Sequence, residues 1–299
     1  WRGRAQLIPA RKGASVPPGG GKVSRGSPLD GGRPLRFALP MTLSAPDLDS
    51  YWEQGYVLLP GLIDPDSIGR FEERFLELAS GRVPPPSGLV VMRDVMVAKG
   101  VVAPSDPVEG VNKILSFEND PLLFGYALDA RLVGVVRALL GPELQTISTN
   151  VFNKPPEIDG RHPLHQDLRY FSLRPADGIL GSWTAVSQTT RENGCLSVIP
   201  GSHRRGLLPH DKPEWEFLNH GFMGVAGVDV STRVHVEMSP GDTLFIHPLL
   251  VHGSGRNRSE ACRRAISVHY ASQGCQRPDG PRKRAPVMRT ILPDQGQGA

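Results

Sequence analysis

Cysteine is scarce in this chain. Cys195, Cys262 and Cys275 are the three present in 299 residues, too few and too scattered for a disulfide framework or a cysteine-based zinc site. Free buried thiols in a reducing, intracellular compartment are the expectation. Long apolar runs are missing as well: none approaches the roughly 18 residues needed to cross a bilayer. An excess of one charge is nearly absent, at +4 overall, and what there is sits at one end. Residues 1–40 hold eight Lys or Arg against Asp30 alone, or +7, so residues 41–299 carry −3. The folded part is therefore not basic, which speaks against a nucleic-acid-binding surface. With 39% hydrophobic and 21% charged residues, the composition is that of a globular protein large enough for a buried core.

The chain divides into three parts. Residues 1–40 are rich in Gly, Pro, Ser and Arg and lack apolar periodicity, a composition that does not repay the entropy of ordering, so this segment is expected to be disordered. It is Arg-rich and acid-poor like a transit peptide, but the run Pro17 to Gly21 breaks any amphipathic helix. Residues 41–275 read as one domain, and 276–299 as a basic, Pro-rich disordered tail ending in Gln297-Gly298-Ala299 rather than the peroxisomal Ser-Lys-Leu. Within the domain, helices are predicted over 47–54, stopped by Gly55, over 65–79, capped by Asp64, and over 129–140, stopped by Gly141-Pro142. A strand is predicted over 56–59. After residue 144 short β-like runs recur at 146–152, 180–186, 196–199, 233–238, 243–246 and 265–271. This pattern predicts a mainly β fold with accessory helices, built on a double-stranded β-helix, the jelly roll of cupins.

Chemistry concentrates in Arg161-His162-Pro163-Leu164-His165-Gln166-Asp167. Positions i and i+2 of an extended segment share a face, so His165 and Asp167 can reach one metal. Two histidines and one carboxylate form the facial donor set of non-haem iron(II) oxygenases, which leaves coordination positions open for other ligands. The third donor must come from a distant strand, and His247 and His252 compete for it. His252 is preferred, because the Gly253-Ser254-Gly255 that follows lets backbone approach a ligand closely. Arg263, eleven residues on, offers a guanidinium for bidentate carboxylate binding. His247 beside Pro248 is read as structural, and His162 as orienting the ligand loop. A lone His-x-Asp is most often an ordinary surface pair, and it is the combination that carries the reading.

His165-x-Asp167, His252 and Arg263 in this order resemble the phytanoyl-CoA dioxygenase family. The likeness extends over about residues 50–275, through Val91-Met92-Arg93-Asp94, Asn153-Lys154-Pro155-Pro156, the 161–171 segment, Trp183-Thr184-Ala185, Asn193-Gly194-Cys195-Leu196, Pro200-Gly201-Ser202-His203, Pro209-His210-Asp211 and the 247–255 segment. The resemblance implies that His165, Asp167 and His252 ligate iron(II) and are the catalytic centre. It implies that Arg263 and Ser254 hold the distal carboxylate of 2-oxoglutarate, and that Lys113, Gln166 and Trp183 line the cosubstrate pocket. Dioxygen is then the oxidant, with ascorbate in support, and peroxisomal or cytoplasmic residence follows. The implied substrate is a small or lipid-derived molecule, foremost a 3-methyl-branched acyl-CoA hydroxylated at C2. Asn150 departs from the pattern, standing where an apolar pocket residue is expected, and the likeness fades after Cys275.

Two rival readings keep part of the site. One is a non-catalytic iron or 2-oxoglutarate binding protein, and the other a zinc-dependent cupin-like hydrolase. Halogenation is disfavoured because Asp167 fills the position that a halide would need. Arginines on loops near the metal strands, Arg256 and Arg258 among them, are candidates for coenzyme A phosphates. Nothing in the sequence reports oligomeric state.

Overall fold

Ser44 and Asp47 open the structured part with a reciprocal cap: the Asp47 amide donates to Ser44 Oγ, and the Ser44 amide donates to the Asp47 carboxylate. The computed structural model describes residues 43–156, 158–278 and 288–292; the predicted disordered segment 1–40 lies outside them. Helix α1, Ala45–Gln54, ends at Gly55, whose left-handed φ of 85° closes it where the sequence predicts. Strand β1, Tyr56–Leu59, follows at once. Helix α2, Pro65–Ala79, starts at Asp64, which accepts from the Ser67 amide at 2.8 Å and pairs with Arg131 at 2.8 Å. Its apolar face, Ile68, Phe71, Phe75 and Leu78, is buried as the helical spacing implies.

The next stretch holds elements that the sequence reading did not foresee: β2, Val90–Arg93, α3, Val95–Ala98, and β3, Val111–Leu115. Of the two strands, β2 shows no buried position, and α3 is a single turn, so neither carries a periodic signal. The predicted helix over 129–140 is the second of a pair. Helix α4, Pro121–Ala127, is capped by Asp120, and α5, Ala130–Leu140, by Asp129.

Then come β4, Leu144–Lys154, β5, His162–His165, β6, Ile179–Ala185, β7, Leu196–Val198, β8, Val234–Val236, β9, Thr243–Ile246, β10, His252–Ser254, and β11, Arg263–Ser272. All six β runs predicted beyond residue 144 fall on strands, with β4 and β11 longer than expected. Strand β12, Arg289–Ile291, adds to β4 at the position of Thr146 and buries Ile291. The expected disordered tail therefore contains a strand, because Ile291 finds an apolar partner surface that local composition cannot reveal.

Pairing is antiparallel throughout and forms two sheets. The larger runs β1-β9-β6-β11-β4-β3-β2 with β12 also on β4, and the smaller runs β5-β10-β7-β8. This is the predicted double-stranded β-helix. Alternation along β11 divides the core. Ile266, Val268 and Tyr270 face the helices in one apolar cluster with Phe71, Phe75, Tyr126 and Leu132, while Ala265 faces the smaller sheet with Trp183, Leu196, Val198 and Leu244. The helical layer is pinned by buried polar contacts. Tyr126 Oη lies 2.7 Å from Thr184 Oγ1, which lies 2.7 Å from Thr243 Oγ1, and Tyr270 Oη donates to Ala127 O at 3.0 Å. Among the described residues, no helix is long and apolar enough to cross a membrane.

Replacing Asp64 with Ala removes the α2 cap and the Arg131 partner together. A loss of about 1–2 kcal/mol of stability is expected, read as a lower urea midpoint with unchanged slope.

Candidate metal and cosubstrate site

Register brings two of the candidate ligands together. Strands β5 and β10 are neighbours, and His165 stands directly opposite His252, with ring centroids 4.3 Å apart. Gln166 is extended, at φ −120° and ψ 128°, so the chain carries Asp167 back to the same face before it turns into a 3-10 helix over Asp167–Tyr170. Asp167 Oδ1 lies 3.3 Å from His165 Nε2 and 3.7 Å from His252 Nε2. Donor atoms of all three residues fall within 4.8 Å of one another, and all three are buried.

The tautomers are set by the backbone. His165 Nδ1 is 2.8 Å from Pro163 O, and His252 Nδ1 is 3.0 Å from Leu250 O. A carbonyl only accepts, so each Nδ1 carries a proton, and Nε2 is the ring nitrogen that each imidazole turns toward Asp167. Burial pushes the His252 imidazole down to about 4, against the pull of Asp167. Burial alone would raise the Asp167 carboxyl, but His252, His269 and His165 outweigh it and hold it well below the usual carboxylate range. A neutral His252 imidazole and an ionised Asp167 carboxylate are the protonation states in which such groups bind a divalent metal. Nitrogen and oxygen donors without sulfur, in a two-histidine and one-carboxylate set, fit iron(II).

His269 is the residue that sequence reading missed. Its Nε2 lies 2.9 Å from Asp167 Oδ2, so it fixes the carboxylate oxygen that does not face the imidazoles. It reaches there because Arg263, Ala265, Ser267 and His269 alternate onto the inner face of β11. Space for its ring is made by Gly181 on the adjacent β6, where an added Cβ would stand 3.0 Å from His269 Nε2. The signal that could have found His269 is the period of two from Arg263.

One cavity joins the metal donors to Arg263, Trp183 and Ser254, with Phe152, Leu196 and Ile246 as apolar walls. Arg263 is 3% exposed. Its Nη2 donates to Gly194 O at 3.1 Å, its Nε has no partner, and its guanidinium packs 5.4 Å from the Trp183 ring. Burial lowers it to about 10, which leaves it charged at neutral pH. Beside it, buried Lys154 donates to Ser254 Oγ at 2.8 Å and to Gly255 O. Burial and the neighbouring Arg263 push the Lys154 ammonium well below its usual range, and neither side chain has a carboxylate partner among the described residues. A buried guanidinium without a carboxylate partner is costly unless an anion joins it, so the chemistry of this cavity fits a ligand that brings a carboxylate to Arg263.

A second lobe opens on the other side of the ligands, lined by Lys113, Asn150, Phe152, Tyr170 and Phe222. Lys113 Nζ lies over Phe222 at 4.8 Å and over Phe152 at 5.4 Å. Burial brings its ammonium down to about 8, with Asp167 pulling it back up. Asn150, the departure from the family pattern, donates to Ser148 Oγ at 3.1 Å and makes this wall polar. His162 stacks between His165 at 4.3 Å and Phe222 at 4.0 Å, in keeping with an orienting role. His247 meets Asp177 and the Leu249 amide instead of the metal donors, as its structural reading expected.

Gln166 does not join the pocket. Lying between two same-face residues, it points the opposite way, and its amide donates to Gly206 O and Leu249 O while accepting from the Leu208 amide. The assignment of Gln166 to the cosubstrate pocket is therefore replaced by a bracing role.

Fold and donor set together describe a double-stranded β-helix oxygenase. Comparison with known proteins agrees. Residues 51–265 match the family model described as Phytanoyl-CoA dioxygenase (PhyH). The chain is 44% identical to a probable phytanoyl-CoA dioxygenase of Caenorhabditis elegans over 77% of its own length and 76% of the relative's. It is also 44% identical to the peroxisomal phytanoyl-CoA dioxygenase of Mus musculus, over 76% and 68%. Among solved structures, EvdO2 from Micromonospora carbonacea var. aurantiaca superposes with a TM-score of 0.64 at 22% identity, covering 82% of this chain and 97% of that one, a likeness of fold. The chain belongs to the phytanoyl-CoA dioxygenase family, and it is a dioxygenase of the iron(II)- and 2-oxoglutarate-dependent kind.

Two outcomes follow for the site. His269→Ala is expected to weaken iron(II) affinity by about 10–100-fold, measured by metal titration, with part of the loss restored in His269→Gln. Lys113 loses its charge as pH rises through about 8, so the KM for 2-oxoglutarate should rise across that range, and Lys113→Met should flatten the dependence.

Proposed function

We propose that this dioxygenase hydroxylates C2 of a 3-methyl-branched acyl-coenzyme A thioester. The observation that carries the reading is one cavity in which His165, Asp167 and His252 share the lining with Arg263, whose Nε has no partner, in a chain 44% identical to relatives named for phytanoyl-CoA. When bound, iron(II) with 2-oxoglutarate and dioxygen supplies the oxidising power that converts C–H to C–OH; one oxygen atom goes to the product and the other to succinate, with release of carbon dioxide. The protein's part is placement. His165 Nε2, His252 Nε2 and Asp167 Oδ1 hold the metal, and His269 keeps the carboxylate from rotating. Arg263, with Ser254 and Lys154 beside it, holds the distal carboxylate of the cosubstrate, and Trp183 walls it in. Lys113 offers a positive charge on the other side of the donors. Phe152, Leu196 and Ile246 keep the cavity short of water, which strengthens each of these electrostatic contacts.

Peroxisomal residence is proposed with the substrate, on the strength of the vertebrate relatives named as peroxisomal. A non-catalytic iron or 2-oxoglutarate binding protein is disfavoured by the complete donor set, and a zinc hydrolase by the buried cation that awaits a second carboxylate.

A screen of acyl-thioesters and free acids, with succinate and hydroxylated product quantified by mass spectrometry, tests the proposal. Equal amounts of succinate and 2-hydroxyacyl-CoA are expected with the branched thioester. Product from free acids alone, or activity independent of oxygen, would overturn it. Arg263→Gln should raise the KM for 2-oxoglutarate by about 100-fold, the loss expected when a charge-assisted pair of hydrogen bonds is removed, and His252→Ala should abolish both products.

A further inference from the structure

The candidate metal donors stand on a partition between two spaces. His165, Asp167 and the brace His269 border both the cavity that contains Arg263 and the lobe that contains Asn150 and Phe222. The two differ in access. Every residue lining the Arg263 cavity is buried or half-buried, whereas Tyr170, His220 and Gly221 bring the second lobe to the surface. The closed space suits a small cosubstrate that is enclosed completely. Of the two, the lobe is the approach for a ligand too long to be enclosed.

One wall of the lobe comes from a long connection, and it is tied down at three points. At its start the buried Asn219 side chain donates from Nδ2 to Asp94 Oδ2 at 2.8 Å and accepts at Oδ1 from the Val95 amide at 2.9 Å. Further on, the Met223 amide donates to Tyr170 Oη at 3.1 Å. At its end Gly224 and Asp211 exchange backbone hydrogen bonds, and the Val225 amide donates to Leu164 O at 2.7 Å. Asp94, the last residue of the Val91-Met92-Arg93-Asp94 segment, is buried and also takes the Asn112 side chain and the Met96 amide, so it makes a firm anchor. Phe222 lies between the ties and is buried against the lobe. Its ring stacks on His162, which stacks on His165, so its position is fixed relative to a candidate metal donor. Phe152, Tyr170 and Phe171 complete an aromatic lining, and Lys113, Ser148 and Asn150 add a polar stretch. A lining that is aromatic in one part and polar in another suits an alkyl chain that begins at a carbonyl.

We infer that the second lobe receives the acyl chain of the primary substrate around its reacting carbon, with Phe222 as the side chain that selects for the methyl branch and Asn219 as the residue that positions Phe222. The inference rests on the acyl-CoA reading above and deepens it by giving the substrate a place separate from the cosubstrate's. Phe222 touches the chain, and Asn219 acts through it. Because the stacked ring is held in place, a branch that fills the space beside it gains contacts that a straight chain leaves unmade.

Steady-state 2-hydroxylation of a 3-methyl-branched acyl-CoA and of the straight-chain acyl-CoA of equal length, both by the iron-loaded full chain, tests the assignment. The parent is expected to favour the branched thioester in kcat/KM. One methyl group in a fitted apolar site is worth about tenfold or more, and Phe222→Leu should reduce the preference by about that factor. Asn219→Ala should reduce it in the same direction while the KM for 2-oxoglutarate stays at the parent value, because Arg263 lies in the other cavity; a general loosening of the fold would not give that split. Should Phe222→Leu fail to fold, Phe222→Met takes its place. A parent indifferent to the branch, or variants that keep the parent's ratio, overturns the inference. The two readings fail in different ways. A parent that hydroxylates no thioester overturns the acyl-CoA reading and this inference with it. A parent that hydroxylates the thioesters, with variants that leave their ratio unchanged, overturns the inference alone.

Discussion

A single cross-strand register, His252 on β10 opposite His165 on β5, governs everything else at this site. Side chains alternate faces along a strand, so a slip of one residue would turn one imidazole outward and leave a single histidine beside Asp167. The register is held from both sides. Strand β10 is also paired to β7, with His252 opposite Val198 and Ser254 opposite Leu196, and the apolar neighbours Leu196, Val198 and Leu250 are buried. Burying these side chains between the sheets is what fixes two ring nitrogens within bonding reach of one ion. Gly253 lies between them where an added Cβ would come within 2.9 Å of the His162 and Pro163 carbonyls, so the close approach of β5 and β10 itself depends on a missing side chain.

The larger sheet plays a complementary part. Strand β11 presents Arg263, Ser267 and His269 to the cavity and Ile266, Val268 and Tyr270 to the helices. The proposed cosubstrate anchor and the carboxylate brace are thus fixed by the same alternation that builds the hydrophobic core. The electrostatics follow from this economy. Three acceptor groups lie at one end of the cavity and the Arg263 guanidinium at the other, while burial and that same guanidinium push the neighbouring Lys154 ammonium well below its usual range, so the cavity is polarised along its length.

Much of this was legible in the sequence. Same-face placement of His165 and Asp167 needs only an extended segment, and the preference for His252 over His247 follows from glycines beside it. The jelly roll was readable from short strands with turn residues between them, since burial on one face imposes a period of two. What escaped were features that depend on partners far along the chain. His269 reads as one polar position in an apolar strand until Gly181 is placed next to it. Strand β12 has too few residues to signal itself, and β2 is too exposed. Gln166 was misplaced for a reason that the sequence did contain: a residue between two same-face neighbours must face the other way.

That reversed side chain ties the candidate metal donors to a stretch of chain outside the cavity. Gln166 is flanked by two ligands, and its amide grips Gly206, Leu208 and Leu249, while its own backbone N–H donates to His210 Nε2 at 3.0 Å. Whatever holds His165 and Asp167 still therefore also settles the 206–210 segment, and by thermodynamic reciprocity a settled segment steadies these two candidate ligands. The geometry of the donor set is thus shared with a stretch of chain whose side chains lie outside it.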